Sequence, residues 1–174
     1  MSFALWLTGL SGCGKSAIAR ELAALLHGRG VDAALLESDV MRTQLTPFAR
    51  YDARERDFFY AALLELGAFS VQRGVPVVFD ATANRRAYRD AARARIPSFA
   101  EVFVDTPLEV CAARDPKGLY RAAREGKSST LPGLQAAYEP PLAPEIVLRG
   151  DRGTPREAAE SIAAFLAARH WIRC

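Results

Sequence analysis

A glycine-rich run near the N-terminus carries the clearest chemical signal in this 174-residue chain. Residues 9–16 are Gly-Leu-Ser-Gly-Cys-Gly-Lys-Ser, which fits G-x-x-x-x-G-K-[ST] between a strand-like and a helix-like segment. Glycines let backbone N–H groups converge on phosphate oxygens, and the N-terminus of the following helix adds partial positive charge. The run therefore predicts a nucleoside triphosphate site formed by Gly9, Ser11, Gly12, Cys13, Gly14, Lys15, Ser16 and Ala17.

Two side chains at the end of this run have distinct expected roles. The Lys15 ammonium is suited to neutralising the β- and γ-phosphates of a nucleoside triphosphate, which makes it a catalytic candidate. The Ser16 hydroxyl is suited to ligating Mg²⁺, an ion that keeps most of its waters and bridges phosphates. A nucleoside triphosphate and Mg²⁺ are therefore expected at this loop.

Two carboxylates follow predicted strands, where ligands of open parallel sheets bind. Asp39 comes after the strand ending near Leu36, and Asp80 closes the apolar run Val77-Val78-Phe79. Either carboxylate could hold the Mg²⁺ water shell or accept a hydroxyl proton, so both are catalytic candidates and Asp39 is also a metal candidate. The alternative is that each aspartate only caps the next helix.

Arginines are frequent beside these aspartates. Guanidinium groups bind sulfate and phosphate bidentately, so the arginines nearest the predicted strand ends are candidate contacts for an anionic acceptor. The candidates are Arg42, Arg56 and Arg86. For each of them a solvated surface position is an equally good interpretation.

Apolar runs of strand length alternate with longer amphipathic stretches, which predicts an α/β fold with helices on both faces of a parallel sheet. The five predicted strands are Phe3 to Thr8, Ala33 to Leu36, Pro76 to Asp80, Ala100 to Val104 and Glu145 to Leu148. Helices are predicted over Lys15 to Leu26 and Asp52 to Arg73. Two more should begin at Thr106-Pro107 and Thr154-Pro155, each with Thr at the cap and Glu three residues on.

A long irregular segment precedes the last predicted strand. Residues 126–144 contain four prolines and two glycines, and loops of this length in compact domains are usually lids or binding loops. We call residues 126–144 the lid segment. With no linker or internal repeat elsewhere, residues 1–174 are expected to form one domain.

The composition limits the kinds of binding partner and the cellular compartment that we expect. The net charge of +3 is too small to argue for nucleic acid or membrane, and no apolar run approaches the ~20 residues of a membrane span. An odd set of cysteines, Cys13, Cys111 and Cys174, fits a reducing compartment. We therefore expect a cytoplasmic protein with a small-molecule partner.

Beyond these motifs, the chain resembles the adenylyl-sulfate kinase family, P-loop kinases that phosphorylate the 3′-hydroxyl of adenosine 5′-phosphosulfate with ATP and Mg²⁺. The resemblance rests on residues 9–16, on the run 101–120, EVFVDTPLEVCAARDPKGLY, and on YEPP at 138–141 followed by PEIVL at 144–148. It implies a P-loop NTPase-type three-layer sandwich with a lid loop, and it places Arg114 near the adenine of ATP. The sequence leaves open whether the protein forms a homodimer.

The acceptor side departs from the family pattern. Where the family has D-G-D-N-x-R, residues 37–42 are ESDVMR, which keep Asp39 and Arg42. The lid pattern K-x-F-T-G becomes Ser-Thr-Leu-Pro-Gly at 129–133, so Leu131 replaces an adenine-stacking Phe. Other acceptors therefore stay open: a small hydroxylated metabolite, an antibiotic or a nucleic-acid end. The further alternative is a non-catalytic ATP-binding regulator.

Overall fold

A parallel sheet of five strands forms the centre of the computed structural model, which describes residues 2–48, 50–128 and 130–173. The strands are β1 (Ala4–Thr8), β2 (Ala34–Glu37), β3 (Val77–Asp80), β4 (Phe99–Asp105) and β5 (Ile146–Arg149). Their order across the sheet is β2-β3-β1-β4-β5, and every neighbouring pair is parallel. The predicted parallel sheet is confirmed, with each strand end within one residue of its prediction.

Helices cover both faces of the sheet, as expected for a three-layer sandwich. In chain order they are α1 (Lys15–Gly28), α2 (Ser38–Leu45), α3 (Ala53–Gln72), α4 (Arg86–Arg95), α5 (Leu108–Arg114), α6 (Leu119–Arg124) and α7 (Pro155–Ala168). One buried cluster joins α1, α5, α6 and α7 to the sheet, and a second joins α3 and α4 to its opposite face. None of the helices in the described stretches has the length and hydropathy to cross a membrane.

Strand β1 shows why the sheet must be covered on both sides. Its residues are all buried, and successive side chains of a strand point to opposite faces. Leu5 and Leu7 enter one core cluster, while Ala4 and Trp6 enter the other. Both faces are therefore apolar, which is the pattern of a central parallel strand.

The two predicted helix starts have different outcomes. Thr154 and Glu157 form the predicted capping box: the Thr154 hydroxyl accepts from the Glu157 N–H at 3.2 Å, and the Glu157 carboxylate accepts from the Thr154 N–H at 2.7 Å. The prediction that Thr106 caps a helix is wrong. Helix α5 has Pro107 at its N-cap, and the Thr106 hydroxyl donates instead to the Cys13 carbonyl at 3.0 Å.

Candidate active site

The loop between β1 and α1 is packed so closely that several positions exclude a side chain. Gly12 has φ +76°, and a Cβ there would lie 2.9 Å from the Cys111 carbonyl oxygen. At Gly9, with φ +151°, a Cβ would lie 2.6 Å from the Val104 carbonyl oxygen. The loop therefore follows β4 and α5 at backbone distance and leads into the first turn of α1, whose N–H groups have no partners within the helix.

Lys15 is buried at the first position of α1. Its ammonium donates to the carbonyls of Gly9 and Leu10, both at 2.9 Å, and lies 3.6 Å from the Cys13 sulfur. Burial alone would lower the pKa of this ammonium, but the Cys13 and Asp80 side chains outweigh burial and raise the pKa above its ordinary value of 10.5. Lys15 is therefore a permanent positive charge at neutral pH.

A cavity of about 750 Å³ opens beside this loop. Most of the predicted site residues line it, although they come from separate parts of the chain. Those that do are Ser11, Gly12, Gly14, Lys15, Ser16, Ala17, Asp39, Arg42, Arg56, Asp80, Arg114 and Leu131. The sheet order brings them together, because the carboxyl ends of β1, β2 and β3 meet at one edge.

Three predicted site residues are not among the described residues that line the cavity. Gly9 and Cys13 contribute from behind it, through the carbonyl and the sulfur that contact Lys15. Arg86 begins α4, where its N–H donates to the Glu139 carboxylate at 2.7 Å and its guanidinium to the Pro140 carbonyl at 3.3 Å. The structure therefore places Arg86 against the end of the lid segment.

The two aspartates differ in their surroundings. Asp80 is 5% exposed at the end of β3, whereas the Asp39 side chain is 62% exposed and forms an ion pair with Lys117. Glu37 occupies the N-cap of α2 and Arg85 that of α4. The interpretation that Asp39 and Asp80 only cap the following helices is therefore wrong.

Arg42, which lines the cavity, is held in place by an ion pair and by aromatic rings. Its guanidinium donates to the Glu55 carboxylate at 2.9 Å and lies 3.9 Å from the centroid of the Phe59 ring and 4.9 Å from that of Tyr51. The pair is largely buried, with side-chain exposures of 10% and 15%. Such fixing limits the rotamer freedom that Arg42 would lose on binding an anion.

The lid segment borders the same cavity. Leu131 is 6% exposed and lines the cavity together with Thr130 and Pro132. The Arg56 guanidinium donates to the Thr130 carbonyl at 2.5 Å, so α3 and the lid segment are directly linked. Ser129, where the family pattern has Lys, lies outside the described residues.

Positive charge outweighs negative charge around the cavity. The described lining includes six basic side chains, Lys15, Arg20, Arg42, Arg56, Arg114 and Lys117, against three acidic ones, Glu37, Asp39 and Asp80. Low-dielectric walls concentrate such a field and attract anions. The cavity therefore suits substrates with several negative charges, although the net charge of the whole chain is small.

Two tyrosines of the cavity were not among the predicted site residues. Tyr51 and Tyr60 line the cavity, and the Tyr60 hydroxyl accepts from the Ala83 N–H at 2.9 Å. Tyr60 follows Arg56 by four residues on α3, a spacing that puts the two side chains on one face of the helix. That spacing was an available signal for Tyr60, whereas Tyr51 lies in a loop.

The family model of adenylylsulphate kinase matches residues 1–149. The chain belongs to the adenylylsulphate kinase family. Its relatives include the adenylyl-sulfate kinase of Microcystis aeruginosa, 38% identical over 91% of this chain and 87% of that protein. The adenylyl-sulfate kinase of Klebsiella pneumoniae is 41% identical over 85% and 75%, respectively.

Solved structures agree with this assignment. The APS kinase CysC of Mycobacterium tuberculosis, in complex with AMPPNP and APS, superposes with a TM-score of 0.89. It is 32% identical, and the match covers 95% of this chain and 97% of that one. The predicted family, the P-loop kinase fold and the expected ATP-dependent phosphotransferase class are therefore confirmed.

Proposed function

We propose that the protein transfers the γ-phosphoryl group of ATP to the 3′-hydroxyl of adenylyl sulfate. The observation that carries the proposal is one anion-attracting cavity that is lined by both the Lys15 loop and the arginines Arg42 and Arg56. Asp39 and Asp80 line the same cavity. The named activity of the relatives supports the same reaction.

On the donor side, the loop and Lys15 act on the ATP phosphates. Phosphoryl transfer needs positioning and stabilisation of the charge that develops on the phosphoryl oxygens. A permanently charged Lys15 and the first-turn N–H groups of α1 supply that stabilisation without reorganising during the reaction. We assign Arg114, at the end of α5, to the part of the site that binds the adenine of ATP.

The oxygen donors around the cavity fit Mg²⁺. Ser16 and the two aspartates are hard ligands that line one space, and Mg²⁺ binds through few protein groups plus phosphates and waters. Within residues 2–48, 50–128 and 130–173, no three His, Cys, Asp or Glu side chains group into a self-sufficient metal site. Ser16 and Asp39 would hold the ion beside the phosphates, where it would neutralise charge.

On the acceptor side, an aspartate orients or deprotonates the attacking hydroxyl. We assign this role to Asp39, and Asp80 is the alternative base because it lies at the end of β3 and lines the same cavity. Arg42 and Arg56 bind the anionic group of the acceptor. Leu131 and the ring of Tyr51 are apolar walls for its base.

A different small hydroxylated anion is the second candidate acceptor. It is favoured by Leu131, an aliphatic side chain that buries apolar area but offers no aromatic face for stacking on adenine. The test measures ADP release with Mg·ATP and a panel of acceptors, with adenylyl sulfate as the reference. Turnover of adenylyl sulfate no faster than ATP hydrolysis without acceptor would refute the first proposal.

Three further proposals concern the whole molecule. Residues 1–174 form one kinase domain, which limited proteolysis tests by the size of the protected fragment. The buried free thiols of Cys13 and Cys111 support a reducing compartment such as the cytoplasm. A homodimer stays a prediction, and light scattering of the purified protein decides it.

A further inference from the structure

Arg89 on α4 is one of the largest side chains with almost no solvent exposure, at 1%. An arginine cannot lose its proton in a protein, so this charge is buried and must be compensated by its partners. Its Nε donates to the Glu101 carboxylate at 2.6 Å. That carboxylate, on β4, is itself only 7% exposed.

The other two nitrogens of Arg89 donate to backbone carbonyls, one just before α4 and one 50 positions further along the chain. Nη1 donates to the carbonyl of Ala83, in the turn between β3 and α4. Nη2 donates to the carbonyl of Glu139, at the end of the lid segment, at 2.6 Å. One guanidinium therefore joins a strand, a turn beside the cavity and the end of the lid segment.

The turn that Arg89 holds is strained. Ala83 has φ +43°, a conformation that costs a non-glycine residue free energy and persists only when its surroundings enforce it. Its N–H donates to the Tyr60 hydroxyl at 2.9 Å, and its carbonyl accepts from Arg89. Its neighbours Thr82 and Asn84 line the cavity.

The same turn carries the end of the lid segment. The Asn84 side-chain amide donates to the Ala137 carbonyl at 2.9 Å, and the Glu139 N–H donates to the Asn84 carbonyl at 2.7 Å. The Tyr138 hydroxyl lies 3.0 Å from that of Thr8, at the end of β1. The turn and residues 137–140 therefore form one hydrogen-bonded unit.

We propose that Arg89 is a positioning residue of the kinase, which sets the place of the Ala83 turn and of the lid segment relative to Asp80. The proposal rests on the proposed function only for its kinetic readout. Arginine is required because its planar fork offers donors in three directions, whereas lysine is a single point charge. Arg89→Lys would keep the ion pair with Glu101 and lose the simultaneous hold on both carbonyls.

The first experiment compares steady-state kinetics of the wild type, Arg89→Lys and Arg93→Lys. Arg93 is the control: it lies one turn further on α4, pairs with Glu145 at 2.5 Å and shares the Glu101 carboxylate with Arg89 at 3.6 Å, but its partners lie outside the Ala83 turn. We expect Arg89→Lys to lower kcat about 10- to 100-fold with little change in the KM for ATP. Arg93→Lys should stay within about twofold of the wild type.

A suppressor variant separates positioning from general stability. Glycine adopts φ +43° without steric cost, so Ala83→Gly in the Arg89→Lys background should recover at least part of the lost kcat. A kcat of Arg89→Lys within about twofold of the wild type would overturn the proposal. A kcat that Ala83→Gly leaves unrecovered would overturn it as well.

Hydrogen exchange tests the proposal independently of the acceptor. In Arg89→Lys the Glu139 amide should exchange at least about tenfold faster, while the amides in the middle of α7 keep their wild-type rates. If Arg89→Lys does not fold, Tyr60→Phe, which removes the partner of the Ala83 N–H, must accelerate exchange at Ala83 and Glu139. Unchanged exchange refutes the positioning role, whereas a wild type that ignores adenylyl sulfate refutes only the proposed function.

Discussion

Lys117 and Asp39 lie 78 positions apart in the sequence, and the Lys117 ammonium forms an ion pair with the Asp39 carboxylate in the lining of the cavity. Both side chains are substantially exposed, at 46% and 62%. Exposed ion pairs contribute only about 0–1 kcal/mol to stability. The pair is therefore more important for the orientation of Asp39 than for the fold.

Replacing Lys117 should separate these two roles. We expect Lys117→Met to leave the melting temperature within about 2 °C of the wild type and to lower kcat about tenfold, because Asp39 loses the cation that orients it. Calorimetry and steady-state kinetics on one preparation measure both. Equal kcat values in the two proteins would show that the ion pair has no part in turnover.

Removing the Lys15 charge should abolish most of the activity. Lys15→Ala deletes a buried ammonium that would stabilise phosphoryl charge, and loss of one such donor costs about 10²- to 10³-fold in kcat. Titration calorimetry with Mg·ATP should show weaker binding as well. Lys127→Ala is the control, since Lys127 is an exposed lysine paired with Glu125. Wild-type affinity and turnover in Lys15→Ala would contradict the assignment of the loop.

A methyl group at Gly12 should damage both the fold and the nucleotide site. Gly12→Ala places a Cβ 2.9 Å from the Cys111 carbonyl at φ +76°, and a left-handed conformation alone costs an L-residue about 1–2 kcal/mol. We expect a lower melting temperature and weaker ATP binding. Gly28→Ala is the matched control, because a Cβ at that position on α1 meets no described atom within 4 Å.

An aromatic side chain at position 131 should favour adenylyl sulfate. Stacking of a base on an aromatic ring contributes about 1–3 kcal/mol, so Leu131→Phe should lower the KM for adenylyl sulfate about tenfold. Leu134→Phe, at a 47% exposed position of the same segment, controls for added apolar area. An unchanged or higher KM in Leu131→Phe would mean that no adenine ring contacts position 131.

Glu145 should contribute stability that depends on pH. Burial raises the pKa of its carboxyl, but hydrogen bonds from Arg93 and from the Glu101 N–H outweigh burial and lower the pKa below its ordinary value of 4.5. A depressed pKa stabilises the fold above the unfolded-state value, and this stabilisation is lost as pH falls through the folded-state value. Glu145→Gln should therefore be less stable than the wild type at pH 7.

The stability difference between the wild type and Glu145→Gln should shrink as the pH falls below about 4. Urea unfolding at a series of pH values measures it. Arg93→Gln should show the same loss of pH dependence, because it removes the partner that lowers the pKa of Glu145. A difference that is constant from pH 7 to pH 3 would contradict this linkage.

The sequence predicted the sheet and the phosphate loop well because each depends on local patterns. Uniformly apolar runs of strand length such as residues 77–79 indicate buried strands, and Gly12 and Lys15 belong to a motif of fixed spacing. The sequence did not predict α2, an eight-residue helix of low mean hydropathy. No local pattern distinguishes Arg89 from the other arginines of α4, because its burial depends on Glu101 on β4 and on Glu139, which lies 50 positions further along the chain.

The hydrogen bond from Arg56 to the Thr130 carbonyl means that one side chain both contacts the lid segment and is available to bind the acceptor. A guanidinium has five N–H donors, so Arg56 can keep hold of Thr130 while its remaining donors grip an incoming anion. We therefore expect the lid segment to change position together with Arg56 when the acceptor binds. The rate of product release would then depend on the same arginine that binds the acceptor.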